Sequence, residues 1–232
     1  MRLDKFLSNS GFGSRKDVKQ LIKKKLVTVN DRIVTKSDLN INPLTDSIRY
    51  DNELIEYKEF HYFLLNKPKG YLSATEDNKQ NTVLDLLPEY SYLNLFPVGR
   101  LDKDTTGTLL ITDDGQLAHS LLSPKRHVDK IYIATLDKDI PPSIIKSFEE
   151  GIILDNELTL PAKLEIISSN VGKVTLHQGK YHQVKRMFSS FGLEVIELDR
   201  IQFSFLTVND LPLGKYRELT KEEIEELLKY KR

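Results

Sequence analysis

The chain has 232 residues, with 34 Lys and Arg against 34 Asp and Glu, 39% hydrophobic content and no cysteine. That length buries a core in one or two domains, and the composition excludes disulfides, thiolate nucleophiles and thiolate metal sites. No apolar run approaches the roughly 18 residues of a membrane span, and Met1-Arg2-Leu3-Asp4-Lys5 is charged where a signal peptide is apolar, so a cytoplasmic protein is expected.

The zero net charge hides an asymmetry: residues 1–36 carry ten Lys and Arg against three Asp and Glu, a net of +7, so the remainder carries −7. A basic head on a mildly acidic body suits a polyanion held at one end; the alternative is a solvated lysine face on a small helical unit. Ser14-Arg15-Lys16-Asp17 reads as a helix start, with the serine as cap and Asp17 reaching back to it. Val18, Leu21 and Ile22 then form an apolar stripe, while Lys16, Lys19 and Lys23 fall on another face. Val27-Thr28-Val29 and Arg32-Ile33-Val34 flank Asn30-Asp31, which suits a two-residue hairpin turn.

This head resembles the S4 RNA-binding domain. The resemblance rests on Arg2-Leu3-Asp4-Lys5-Phe6-Leu7, Gly13-Ser14-Arg15 and Val27-Thr28-Val29-Asn30, in that order, and covers residues 1–58. It implies RNA binding through the basic helix face, with Arg15, Lys16, Lys19 and Lys23 as the contacts. Cations of this type neutralise phosphates, so the affinity they supply falls with salt and reads little of the base sequence.

Asp51 to Glu59 is polar and reads as a link to a second domain, 60–232, of mixed α and β pattern. Tyr62-Phe63-Leu64-Leu65 is an apolar strand ended by Asn66-Lys67-Pro68-Lys69-Gly70. Val83, Leu84, Leu86 and Leu87 suggest a short helix, and Leu109-Leu110-Ile111-Thr112 a strand closed by Asp113-Asp114-Gly115. Leu117, Ala118, Leu121 and Leu122 have helical spacing, broken at Ser123-Pro124. Strands are then expected to dominate to about residue 176, followed by a helix around Tyr181–Phe191 and a last one over Lys221–Leu228. In Lys130-Ile131-Tyr132-Ile133-Ala134, strand alternation sets Tyr132 opposite Ile131 and Ile133, the natural core residues.

Gly99-Arg100-Leu101-Asp102-Lys103-Asp104-Thr105-Thr106-Gly107 gathers two carboxylates, two cations and two glycines in a polar loop before the strand at 109–112. Asp102, Asp104 and Thr106 fit the D-x-D-x-T spacing of aspartyl-phosphate phosphatases, in which one Asp attacks phosphorus and Mg²⁺ neutralises charge. That motif follows a buried parallel strand, and Phe96-Pro97-Val98-Gly99-Arg100 makes a poor one. The longer string, with Gly107 and Leu109-Leu110, resembles instead the catalytic motif of the RsuA/RluA group of pseudouridine synthases. Asn66-Lys67-Pro68-Lys69-Gly70, Lys130-Ile131-Tyr132 and Tyr181-His182-Gln183-Val184-Lys185-Arg186-Met187-Phe188 match the same group in order. With the S4 head, the match spans nearly the whole chain and is nearest to the RsuA type, which acts on small-subunit (16S) rRNA.

The resemblance implies an α+β fold: a small N-terminal S4 (alpha-L-like) domain at 1–58, and a catalytic domain at 60–232 with a long mixed, mostly antiparallel sheet. It implies conversion of a uridine to pseudouridine in 16S rRNA or a small-subunit assembly intermediate, with Asp102 attacking either ribose C1′ or uracil C6. An anion held in a partly dry pocket needs a cation, and Lys185 is implied as its partner. Tyr132 is implied to stack on the uracil and help remove the C5 proton, and Val184 to pack on the other side of the base. Arg100 is implied to eject the base or fill its place, a plain phosphate contact being the alternative. Asp104 and His182 are read as loop-fixing residues. An isomerisation keeps every atom, so no cofactor or metal is expected, and nothing suggests more than a monomer. Two other functions stay open. One is a sister enzyme acting on large-subunit rRNA, whose relatives tend to show Asn-Arg pairs where this chain has Tyr181-His182-Gln183. The other is a non-catalytic S4 RNA-binding protein, which leaves Asp102, Tyr132 and Lys185 unexplained.

Overall fold

The computed structural model describes residues 1–231; Arg232, the last residue of the expected second domain, lies outside the described residues. The chain divides into two compact units, 1–60 with 88–94, and 61–87 with the chain from 95 onward.

In the first unit α1 (Leu3–Asn9) and α2 (Arg15–Lys23) precede β1 (Val27–Val29), β2 (Arg32–Ile33), β3 (Ile48–Tyr50) and β4 (Glu53–Leu54), an antiparallel sheet of order β2-β1-β3-β4. Helix α2 starts where its residue types dictate: the Asp17 amide donates to Ser14 Oγ at 3.3 Å, and the Ser14 amide donates to the Asp17 carboxylate at 2.9 Å. Val18 and Ile22 are buried with Leu3, Phe6, Leu7 and Ile48, whereas Arg15, Lys16, Lys19 and Lys23 are exposed. Both hairpins turn on pairs with positive φ, Asn30-Asp31 and Asp51-Asn52, a conformation that short polar side chains tolerate. The second pair falls in the stretch read as a link. Residues 51–54 close a hairpin there, and Tyr57 stacks on Phe6 with ring centroids 5.8 Å apart, so this polarity belongs to a turn. The excursion at 88–94 groups with this unit too, its Tyr92 ring packed over Gly11.

The second unit holds β5 (Tyr62–Lys67), β6 (Phe96–Pro97), β7 (Thr106–Thr112), α3 (Gly115–Leu122), β8 (Lys130–Leu136), α4 (Ile144–Glu150), β9 (Ile153–Leu154), β10 (Glu157–Leu158), β11 (Lys163–Ser168), β12 (Val171–Leu176), α5 (Gln183–Ser189), β13 (Val195–Phe203), β14 (Leu206–Thr207), β15 (Tyr216–Glu218) and α6 (Lys221–Leu228). Its main sheet runs β11-β12-β8-β13-β7-β5-β15. Along that path only β13 and β7 pair in parallel, so the architecture is α+β on a mixed, mostly antiparallel sheet. The parallel step depends on Gly107, whose φ is +103 and whose neighbours, the Arg200 carbonyl and the Asp199 carboxylate, leave no room for a Cβ. No helix among the described residues is long and apolar enough to cross a membrane.

Two expectations are corrected and one is refined. Strand β7 begins at Thr106, ahead of the apolar run at 109, because its pairing with Asp199 and Arg200 is made by the main chain. Strands do dominate up to Leu176, and helix α4 is an addition among them; Ile144 and Phe148 are its buried stripe, disguised by the helix-breaking Pro141-Pro142 just before it. On β8 the buried residues are Lys130, Tyr132, Ala134 and Leu136, while Ile131 and Ile133 are half-buried, the reverse of the expected faces. The cause is what packs on that face: Gly172, opposite Ala134 on β12, is closed over by Ile140 from a loop, Leu164 from β11 and Phe188 from α5.

Candidate active site

Asp102 sits in the loop between β6 and β7, and buried groups fix that loop from below. The Ser73 hydroxyl donates to the Leu101 carbonyl at 2.8 Å and accepts from the Leu101 amide at 3.0 Å. The Thr105 amide closes a turn on the Asp102 carbonyl at 3.1 Å, and the Gly70 amide donates to the Lys103 carbonyl at 2.8 Å. Lys67, fully buried at the end of β5, donates to the carbonyls of Pro68, Asp102, Lys103 and Thr105 at 2.8–3.3 Å. Burial pushes its ammonium down to about 8. Three charge-assisted N–H donors shared among four carbonyls turn a polar surface loop into a fixed one.

The Asp102 carboxylate, 22% exposed, lies 3.2 Å from Lys185 Nζ and 3.5 Å from His182 Nε2. Lys185 also donates to Asp104 Oδ1 at 2.6 Å. Burial works against the Lys185 ammonium, but its hydrogen bonds to Asp104 and Asp102 outweigh that and lift it above its ordinary value. The Lys185 hydrogen bond in turn holds Asp104 below the usual carboxylate range. One cation thus serves two carboxylates. Helix α5 delivers Lys185 and Val184 together, and the residue that caps its start, His182, is left-handed with a φ of +47. Such a conformation costs a non-glycine residue about 1–3 kcal/mol, and here it accompanies an imidazole set beside Asp102.

The carboxylate opens on a cleft lined by Arg100, Thr105, Tyr132, His182 and Val184 among others. Tyr132 and Val184 are buried, and Arg100 is exposed. A second groove shares His182 and runs past Asp104, Lys185 and Arg186 toward Glu194. Of the residues singled out in the sequence, Arg100, Asp102, Tyr132 and Val184 therefore line one cleft, and Lys185 pairs with Asp102 beside it. Arg15, Lys16, Lys19 and Lys23 belong to the first unit, on one exposed face of α2. Strand β6 pairs antiparallel with β7, so the segment before Asp102 is not the parallel strand that a phosphatase motif follows.

Sequence reasoning missed three buried cations. Besides Lys67, Arg200 is opposite Tyr132 on β13, donates from Nε to the Thr108 carbonyl at 2.8 Å, and lies 5.0 Å from the Phe203 ring centroid. Lys130, two residues before Tyr132, sits 5.8 Å from the same centroid and is pushed down to about 8 by burial and then by the Arg200 charge. A signal existed, since Lys130 shares the strand face of Tyr132. Lysine and arginine are nevertheless assigned to solvent by default.

The family described as RNA pseudouridylate synthase matches residues 61–190, and the S4 domain family matches residues 1–43. The chain is 43% identical over 228 residues to a Yersinia pestis protein named ribosomal small subunit pseudouridine synthase A, with 97% of each covered. It is 38% identical over 233 residues to a Bacillus subtilis (strain 168) protein named ribosomal large subunit pseudouridine synthase B, covering 97% of this chain and 95% of that one. A solved structure described as a pseudouridylate synthase matches with a TM-score of 0.69 at 37% identity, over 98% of this chain and 99% of the other. Because the matched region contains the whole Asp102–Lys185 arrangement and the likeness runs along nearly the entire length, the chain belongs to the RNA pseudouridylate synthase family, in its RsuA group, and is a pseudouridine synthase carrying an S4 domain.

Proposed function

We propose that the chain converts a uridine of small-subunit (16S) rRNA to pseudouridine with Asp102 as nucleophile, acting as a cytoplasmic monomer on the rRNA or on a small-subunit assembly intermediate. The observation that carries this reading is the Asp102 carboxylate, 3.2 Å from Lys185 and facing the cleft that Tyr132 and Val184 line. An ionised carboxylate can both attack and leave, and the Lys185 cation 3.2 Å away compensates its charge in a partly dry pocket. Asp102 attacks ribose C1′ or uracil C6, the C1′–N1 bond breaks, and the base turns. A C5–C1′ bond then forms as the carboxylate departs, C5 loses its proton and N1 gains one. Tyr132 stacks on the uracil, an interaction worth about 1–3 kcal/mol, and Val184 packs on the opposite side. Drawing a base out of the RNA stack costs a few kcal/mol. Exposed Arg100 offsets that cost by filling the vacated place or by holding a phosphate. Arg15, Lys16, Lys19 and Lys23 capture the rRNA backbone.

Small-subunit rRNA is favoured by the name of the Yersinia relative and by the full-length similarity to it. Mapping pseudouridines in both rRNAs from cells with and without this gene tests the assignment. One position should lose its pseudouridine, and it should lie in 16S rRNA. A position lost from 23S rRNA would transfer the substrate to the large subunit, and no loss in either would remove the rRNA assignment.

A further inference from the structure

Conversion of the target uridine leaves Lys180, Tyr181 and Arg186 without a task, although Lys180 lines the cleft, Tyr181 stacks on His182 of its lining and Arg186 lines the groove that shares His182. Tyr181 is 75% exposed, and its ring stacks on His182 with centroids 3.8 Å apart and planes 17° from parallel. His182 is the residue beside Asp102, so an aromatic surface stands in water one side chain away from the reacting group. Lys180 lines the cleft and Arg186 lines the neighbouring groove. Both cations are engaged by the hairpin β9–β10: Lys180 Nζ lies 2.6 Å from Glu157, and Arg186 Nη2 lies 2.6 Å from Asp155. The cations are 27% and 28% exposed, but their carboxylate partners are 72% and 78% exposed. This hairpin forms a two-stranded sheet of its own, anchored by buried Ile152, Leu154 and Thr159, with Asp155-Asn156 as its turn.

Ion pairs with one partner in water contribute little, so an incoming anion displaces such carboxylates at small cost. A phosphate gives arginine a two-pronged, charge-assisted partner in exchange. Cations flanking an exposed aromatic ring also form the usual grip on unpaired nucleic acid. We propose that Lys180, Tyr181 and Arg186 form a subsite for the nucleotide next to the target uridine. Tyr181 stacks on its base, Lys180 and Arg186 bind phosphates of the strand, and Glu157 and Asp155 hold those cations until RNA displaces them. The proposal rests on the rRNA reading above.

The test uses the full chain and an unmodified 16S transcript, with affinity followed against salt, pseudouridine formation followed in parallel, and Tm recorded for each variant. Lys180→Gln with Arg186→Gln should weaken binding and reduce the salt slope of log K by about one to two units, raising KM more than it lowers kcat. Tyr181→Ala should weaken binding about five- to a hundredfold, with Tyr181→Phe close to wild type. Asp155→Asn with Glu157→Gln should bind more tightly and more steeply with salt, because the freed cations then shed solution ions on binding; a hairpin that is only structural would instead lower Tm and leave the slope unchanged. Wild-type affinity and slope in the Lys180/Arg186 variant, or in Tyr181→Ala, would overturn the subsite. Weaker binding by the Asp155/Glu157 variant would overturn the displacement. A wild-type protein that neither binds nor modifies the 16S transcript contradicts the substrate assignment, and the same series on a 23S transcript then decides the subsite.

Discussion

Lys67, Lys130 and Arg200 are each at most 4% exposed, and their charges rest on backbone carbonyls and an aromatic ring. Burial holds both lysines down to about 8, against an ordinary value of 10.5. Between those values the unfolded chain binds the two protons more tightly than the folded one, so these lysines make stability rise with pH over that interval. Lys130→Met removes one of them. It should therefore show a smaller gain, or a larger fall, in Tm than wild type between about pH 8 and pH 10; an identical change would mean that Lys130 is not held in its discharged direction. Tyr132 separates two roles by substitution. If stacking alone matters, Tyr132→Phe keeps activity and Tyr132→Ala loses it; if the hydroxyl also moves a proton, both fail. An active Ala variant would exclude Tyr132 from the site. At this scale the Asp102–Lys185 pair and the place of Tyr132 in the cleft were legible, because these residues lie inside the motifs that carry the family resemblance. The buried lysines were not, because only three-dimensional packing shows that four carbonyls converge on Lys67.

Elements follow the same division. The capping box of α2 and the Asn30-Asp31 hairpin were readable because both are built from neighbouring residues. Helix α4 and the faces of β8 depend on what packs over them, which the local pattern does not state. Gly107 is the clearest case of an element held by a tertiary constraint: β7 and β13 meet in parallel through a residue at φ +103, with Arg200 and Asp199 against its Cα. Gly107→Ala should lower stability by at least the roughly 1–3 kcal/mol of such a backbone conformation. It should also disturb the loop that carries Asp102, read as a fall in both Tm and kcat. Gly115→Ala is the control, since Gly115 begins α3 with nothing near its Cα; it should change stability by less than about 1 kcal/mol. Equal Tm values for the two variants would contradict the constraint on Gly107.

The whole molecule separates its most basic segment from the candidate site. Residues 1–36 hold a net +7 and include the α2 lysines, whereas Asp102, Tyr132, Val184 and Lys185 lie in an acidic remainder. Changing Lys16, Lys19 and Lys23 together to Gln leaves buried Val18 and Ile22 untouched. The variant should bind rRNA more weakly, with a salt slope smaller by about one unit per lost phosphate contact and the loss appearing mainly in KM. An unchanged slope would reduce that face to solvated surface. The central claim concerns one carboxylate, and Asp102→Asn tests it most directly because the amide keeps the shape and removes the anion. Pseudouridine formation in an unmodified 16S transcript should fall at least a thousandfold, about 4 kcal/mol in barrier, with Tm and RNA affinity near wild type. Activity retained within about tenfold would take Asp102 out of the mechanism.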